Sequence, residues 1–148
     1  MPVPKGLRQA YAATDYWVQA RDCALRLRIG RHQAATLQRL RATFGLPPEG
    51  PERFVIATPC NPRSRQLPPR VNARRLAAGA AALRNAGLAQ TATLHRAPNG
   101  TWPDEHGFCV CCRDALQTLR VDRLARGWGQ HATVHLSARA VFQLRCLR

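Results

Sequence analysis

The chain has very few acidic residues and almost no lysine. Its 148 residues include 23 lysines and arginines but only 8 aspartates and glutamates, which gives a formal net charge of +15. Lys5 is the only lysine, so arginine carries nearly all of the positive charge. A charge of this size favours association with polyanions such as nucleic acid, or with phosphorylated ligands. Because the arginines are dispersed along the chain, a solvated basic surface is the alternative interpretation.

Long apolar runs are also missing from the sequence. No stretch approaches the roughly 18 residues that would cross a bilayer, and residues 1–8 contain no apolar segment typical of a secretory signal. We therefore expect a cytoplasmic protein without membrane contact. The length is that of one domain spanning residues 1–148, in which residues 1–10 could form a flexible N-terminal arm.

The six cysteines lack the spacing of a zinc framework. His106 with Cys109 and Cys111 could begin a metal site, whereas Cys112 would point to the other face of a strand. Free cysteine also packs as a small apolar side chain, and cytoplasmic cysteines are expected to be reduced. We predict no bound metal and no cofactor. Cys60, which lies near several arginines, is a weaker candidate for a nucleophile.

Hydrophobic periodicity predicts interleaved strands and helices. Strands are expected at residues 16–20, 25–29, 54–58, 91–95, 108–112, 132–136 and 141–145, and helices at 33–44, 71–88 and 114–128. This order predicts a single compact α/β or α+β domain, with a mixed β-sheet packed with about three helices.

The loop between the strand at 54–58 and the helix at 71–88 is the most informative segment. Residues 59–70 contain four prolines, so neither a helix nor a central strand continues through them. Open α/β sheets place ligands in such loops, and the following helix start favours an anion. Asn61, Ser64 and Asn72 would supply hydrogen bonds, and the Arg75 guanidinium would grip a phosphate or carboxylate. Alternatively, Asn61 only forms a turn and Asn72 only caps the helix.

Two later segments could complete a ligand site. Glu105, preceded by Trp102, could act as a general base or bind a substrate hydroxyl. The alternative is a solvated loop carboxylate paired with an arginine. Gln130 follows Gly129 after the last helix, where its amide could face a ligand or hold a backbone group.

These residues form an ordered set that resembles a protein family. The set consists of Thr14-x-Tyr16, Thr58-x-x-Asn61-Pro62-x-Ser64, Asn72-x-x-Arg75, Trp102-x-x-Glu105 and Gly129-Gln130-x-Ala132. Over about residues 11–134 it resembles the bacterial domain-of-unknown-function family 3293. The resemblance implies no established activity, but it implies that these polar residues belong to the family's signature. One departure is that residues 106–108 lack the serine expected after Glu105.

The sequence thus predicts a domain that binds a small anionic or nucleotide-like ligand at the turn around residues 61–75. The expected ligand-binding residues are Asn61, Ser64, Asn72, Arg75, Trp102 and Gln130, with Glu105 as the candidate catalytic group. A nucleic-acid-binding module that acts through its basic surface is the alternative function. An interaction protein without a ligand site is a third. The sequence does not assign a reaction.

Overall fold

The computed structural model describes residues 4–136 and 139–147, which contain seven strands and four helices. The strands are β1 (Asp15–Gln19), β2 (Ala24–Leu27), β3 (Arg53–Ala57), β4 (Ala89–Arg96), β5 (Glu105–Cys112), β6 (Ala132–Leu136) and β7 (Phe142–Cys146). The helices are α1 (Lys5–Ala13), α2 (Ala34–Thr43), α3 (Pro69–Asn85) and α4 (Ala115–Gly127). Every element that the periodicity predicted is present, and α1 is additional.

All seven strands belong to one sheet with the order β2-β1-β4-β5-β3-β6-β7. Its central part, β3-α3-β4-β5-α4-β6, is a split β-α-β arrangement. The single α+β domain is therefore confirmed. The sheet differs from the expected mixed one, since every pairing between named strands is antiparallel. The reason is that α3 and α4 each cross over one strand and α2 crosses over three, so the parallel strands that each of these helices links are never neighbours.

The sheet curls until the chain beyond β2 meets the start of β7. Ile29 forms a bridge with Phe142, and His32 forms one with Val141. The Gly30 N–H donates to the Phe142 carbonyl at 2.8 Å. The curl, closed by α2, encloses an apolar cluster whose largest fully buried members are Phe54, Phe142, Leu27, Leu40, Ile56 and Leu136.

Helices α3 and α4 cover the opposite face of the sheet. Strand β3 is buried on both faces, because Ile56 contributes to the cluster inside the curl while Val55 packs beneath α3 and α4. The three cysteines of β5 divide as the strand period predicts: Cys109 and Cys111 face the curl, and Cys112 faces the helices. Burial on both faces of the sheet thus explains the continuous apolar run of β3.

Helix α1 occupies part of the segment that we expected as an N-terminal arm, and residues 1–3 of that segment lie outside the described residues. Its start is hard to recognise, because it has no side-chain N-cap and no acidic residue in the first turn. The Tyr16 hydroxyl donates to the Tyr11 carbonyl at 3.4 Å. Among the described helices, none has the length and apolar character needed to span a membrane.

Candidate functional site

A cavity of about 320 Å³ lies between α1 and the strand ends of the sheet. It is lined by Thr58, Asn61 and Ser64 from the loop after β3, and by Trp102 and Glu105 at the start of β5. Gln130, Thr14 and Tyr16 complete the polar and aromatic lining. Four of the five ordered motifs of the sequence, which span more than 100 residues, therefore meet around one cavity.

The loop after β3 has an unusual backbone. Asn61, Arg63 and Ser64 all have positive φ, at 45°, 54° and 56°. Residues other than glycine rarely adopt this conformation, although asparagine tolerates it best. Such strained residues cluster at ligand-binding and catalytic sites. This loop therefore needs strong contacts from its surroundings to keep its shape.

Asn72 supplies several of those contacts from α3. Its Oδ1 accepts from the Asn61 N–H at 3.0 Å, and its Nδ2 donates to Asn61 Oδ1 at 2.8 Å. Asn61 Oδ1 also accepts from the Leu67 N–H at 2.9 Å. Asn72 does not cap α3, because Pro68 occupies the N-cap position. Asn72 also lies outside the cavity lining, so it positions Asn61 instead of facing a ligand.

Arg75 also braces the loop. Its Nε donates to the Pro59 carbonyl and its Nη2 to the Trp128 carbonyl, both at 2.5 Å. The side chain is not part of the cavity lining. The anion-gripping role that we expected for Arg75 does not fit this position, because the guanidinium already serves two backbone carbonyls.

The turn before β6 holds the other side of the loop. The Arg63 N–H donates to the Gly129 carbonyl, and Gln130 Nε2 donates to the Cys60 carbonyl, both at 2.8 Å. Gly129 has φ +82°, and a Cβ there would lie 2.9 Å from Pro62 Cβ. Gln130 therefore lines the cavity and holds a backbone group at the same time.

Glu105 and Asp104 have different surroundings although they are adjacent. Glu105 Oε1 accepts from Trp102 Nε1 at 2.5 Å inside the cavity. Burial raises the pKa of Glu105, against the opposing effect of hydrogen bonds from Trp102 and Asn61. Asp104 is exposed and pairs with Arg96 at 2.9 Å, which lowers the Asp104 pKa. The alternative interpretation, a carboxylate paired with arginine, describes Asp104 and not Glu105.

Two titratable lining residues were missed by the sequence analysis. His95 of β4 lies opposite Tyr16 of β1, with ring centroids 5.0 Å apart, and its Nε2 lies 2.8 Å from Thr93 Oγ1. Burial lowers the pKa of His95 to about 3, so the ring is neutral. Burial raises the pKa of Tyr11, the other missed residue, to about 12. The cavity therefore offers neutral hydrogen-bonding groups and one carboxylate.

The cysteines show no geometry for the metal or nucleophile roles that we considered. Burial is the main cause that raises the pKa of Cys60, which favours the unreactive thiol. Cys109 is fully buried in the core. Throughout residues 4–136 and 139–147, no three histidine, cysteine, aspartate or glutamate side chains form a group that could hold a metal ion.

Comparison with known proteins gives one family match. The family is described as protein of unknown function (DUF3293), and its model matches residues 57–133. The matched segment contains most of the cavity motifs, from Thr58 to Gln130, and the split β-α-β unit from the last residue of β3 to the second residue of β6. No curated protein and no solved structure matches the chain. Since the match covers more than half of the 148 residues and confirms the resemblance, this chain belongs to the DUF3293 family.

Proposed function

We propose that the protein binds a small nucleotide-like molecule, whose base enters the cavity beside Asn61. Ligand cavities are usually lined by apolar and aromatic side chains with a few placed polar groups. The rings of Tyr11, Tyr16 and Trp102 supply the apolar and aromatic surface. Asn61 and Glu105 supply the polar groups. A planar, largely apolar group with hydrogen-bond donors on its edge suits this lining.

The charge of the cavity lining determines which end of a nucleotide-like ligand would enter the cavity. Within residues 4–136 and 139–147, no arginine or lysine lines the cavity, whereas the Glu105 carboxylate does. An anionic group beside this carboxylate would be buried without a compensating cation, which is costly. A base edge that donates hydrogen bonds to Glu105 avoids this cost. The anionic end would lie outside, near Arg63 and Arg65, which are exposed on the loop that carries Ser64.

The observation that carries the proposal is the conformation of Asn61. This buried residue has a left-handed backbone, is held by Asn72, and presents its side chain to the cavity next to Glu105. Asn72 and Arg75 become positioning residues in this proposal, while Ser64, Trp102 and Gln130 remain ligand contacts.

Glu105 is the candidate catalytic group if the ligand is a substrate. Burial moves its pKa upward, toward neutral pH, which improves a carboxylate as a proton acceptor. Its access to the cavity would let it take a proton from a donor on the ligand. We expect this binding to occur in the cytoplasm.

A thermal-shift assay with nucleobases, nucleosides and nucleotides tests the proposal. We expect at least one nucleoside or nucleotide to raise the melting temperature of the wild type. Glu105→Gln should lose most of that shift, because the amide replaces an acceptor oxygen with a donor. Asp104→Asn is the matched control and should keep the shift, since Asp104 lies outside the cavity lining. No shift with any compound, or equal loss in both variants, would contradict the proposal.

A further inference from the structure

A groove of about 400 Å³ runs between α4 and β7, away from the ligand cavity. Arg123 and Arg126 of α4 and Arg145 of β7 line it, together with Asp122. Arg123 and Arg126 are exposed. Three guanidinium groups thus share one concave surface with one carboxylate.

That carboxylate is already paired with charged and polar groups of the protein, although its Oδ2 accepts no hydrogen bond from the described residues. Asp122 is 4% exposed, and its Oδ1 accepts from Thr133 Oγ1 at 2.8 Å. His135 Nε2 lies 3.2 Å from Oδ1, and Arg145 Nε lies 3.0 Å from Oδ2. The negative charge of Asp122 therefore balances the positive charge of Arg145. Within the described residues, no carboxylate pairs with Arg123 or Arg126. The groove keeps an excess of two positive charges.

The positive surface continues beyond the groove over both helices of this face. Further exposed arginines are Arg70, Arg74 and Arg84 on α3, Arg113 before α4 and Arg120 on α4. Asp114 is the one exposed acid on these two helices and their flanking residues, and its side chain caps α4 by accepting from the Gln117 N–H at 2.8 Å. The other described carboxylates lie elsewhere in the chain, so the charge of +15 is poorly compensated here.

We propose that this arginine groove binds the phosphodiester backbone of nucleic acid. Arg120, Arg123 and Arg126 follow one another along the exposed side of α4, and a helix rises about 1.5 Å per residue. They therefore form a row of guanidinium groups, which suits the repeating charge of a polyanion better than one isolated phosphate. Because the contacts are to phosphates, the binding is independent of base sequence. It does not depend on the ligand cavity.

Binding of a labelled oligonucleotide, single-stranded and duplex, can be followed by fluorescence anisotropy over a range of salt concentrations. We expect wild-type affinity to fall linearly on logarithmic axes as salt rises. Arg123→Gln/Arg126→Gln should reduce the magnitude of that slope by about 1.5, at about 0.7–0.9 for each lost phosphate contact. The matched control is Arg21→Gln/Arg39→Gln, which removes the same charge from exposed positions outside α3 and α4. It should change the slope much less.

Four results would overturn the proposal. The first is no wild-type binding at low salt, and the second is an equal effect of the two double variants. The third concerns Leu116 and Leu119, which are 60% and 51% exposed on α4. Loss of oligonucleotide binding in Leu116→Ser/Leu119→Ser would show that apolar contacts, and not phosphate contacts, hold the oligonucleotide. The fourth is tighter binding of anionic phospholipid vesicles than of the oligonucleotide, which would assign the surface to a membrane. Glu105→Gln should leave oligonucleotide binding unchanged, which keeps this proposal separate from the cavity.

Discussion

Asn72 and Asn61 are joined by two hydrogen bonds, because the side-chain amide of Asn72 accepts one through its oxygen and donates the other through its nitrogen. Asn72 Oδ1 accepts from the Asn61 backbone at 3.0 Å, while Asn72 Nδ2 donates to Asn61 Oδ1 at 2.8 Å. The pair links a helix to a loop residue with φ 45°. Helix α3 thereby fixes the backbone of the candidate site, and residues remote from the cavity should affect its shape.

Asn72→Ala should lower the free energy of unfolding by about 1–3 kcal/mol, because the Asn61 N–H, the Asn61 side-chain oxygen and the Leu67 carbonyl lose their hydrogen bonds to Asn72. Urea unfolding measures this change. Asn85→Ala, at the exposed end of α3, is the control and should stay within about 0.5 kcal/mol. Equal stability of the two variants would show that the amide pair does not hold the loop.

Arg75→Ala should destabilise the fold by about 1–3 kcal/mol, because the carbonyls of Pro59 and Trp128 lose their donor. Arg74→Ala removes the same charge from an exposed position and should have little effect. A stable Arg75→Ala protein that loses only ligand binding would instead restore the anion-gripping role.

Gly107→Ala should destabilise the protein by at least about 1–3 kcal/mol. A Cβ at this position would lie 2.6 Å from the Ala57 carbonyl oxygen and 3.0 Å from both His95 and Thr93. The neighbouring strand would have to shift. Gly127→Ala is the control, since a Cβ there meets nothing within 4 Å. Thermal unfolding should separate the two variants clearly, and similar melting temperatures would contradict the packing of β5 against β3.

His95 should make stability depend on pH in the acidic range. Its pKa is about 3 in the folded protein against an ordinary 6.5, so the unfolded chain binds more protons between these values. The contribution of His95 is therefore full above about pH 6.5 and is lost as the pH falls toward 3, by up to about 1.4 kcal/mol per pH unit.

The difference between the unfolding free energies of the wild type and His95→Gln isolates this contribution from that of the carboxylates. Glu105 affects stability in the opposite direction. Because its pKa is raised in the folded protein, stability falls as the pH rises through the folded-state pKa of Glu105. Glu105 is present in both proteins. A difference that stays constant from pH 6.5 downward would show that His95 is not buried in its neutral form.

The fold was predictable where burial leaves a periodic pattern. The apolar run of β3 and the alternating cysteines of β5 both follow from which faces the sheet covers. Helix α1 was not recognised because it lacks capping signals. The antiparallel order of the sheet was also missed, since each helical crossover skips one or more strands and the sequence does not reveal which strands are neighbours.

The candidate site was predictable in part. The ordered motifs identified Asn61, Ser64 and Glu105, whose positions around one cavity depend on where the strands end. His95 was missed because only the pairing of β1 with β4 places it opposite Tyr16. The hydrogen bonds of Arg75 to two backbone carbonyls were not foreseen for a related reason: the sequence does not show which carbonyls need a donor.

The proposed cavity is tested most directly by the three tryptophan indole N–H signals in a ¹H–¹⁵N NMR spectrum. The Trp102 indole donates to Glu105, whereas Trp17 and Trp128 lie outside the cavity lining and serve as internal controls. Each of the four ribonucleosides is titrated separately. We predict that at least one shifts the Trp102 signal and leaves the other two nearly unchanged. No shift of Trp102 with any nucleoside, or equal shifts of all three signals, would contradict the proposal.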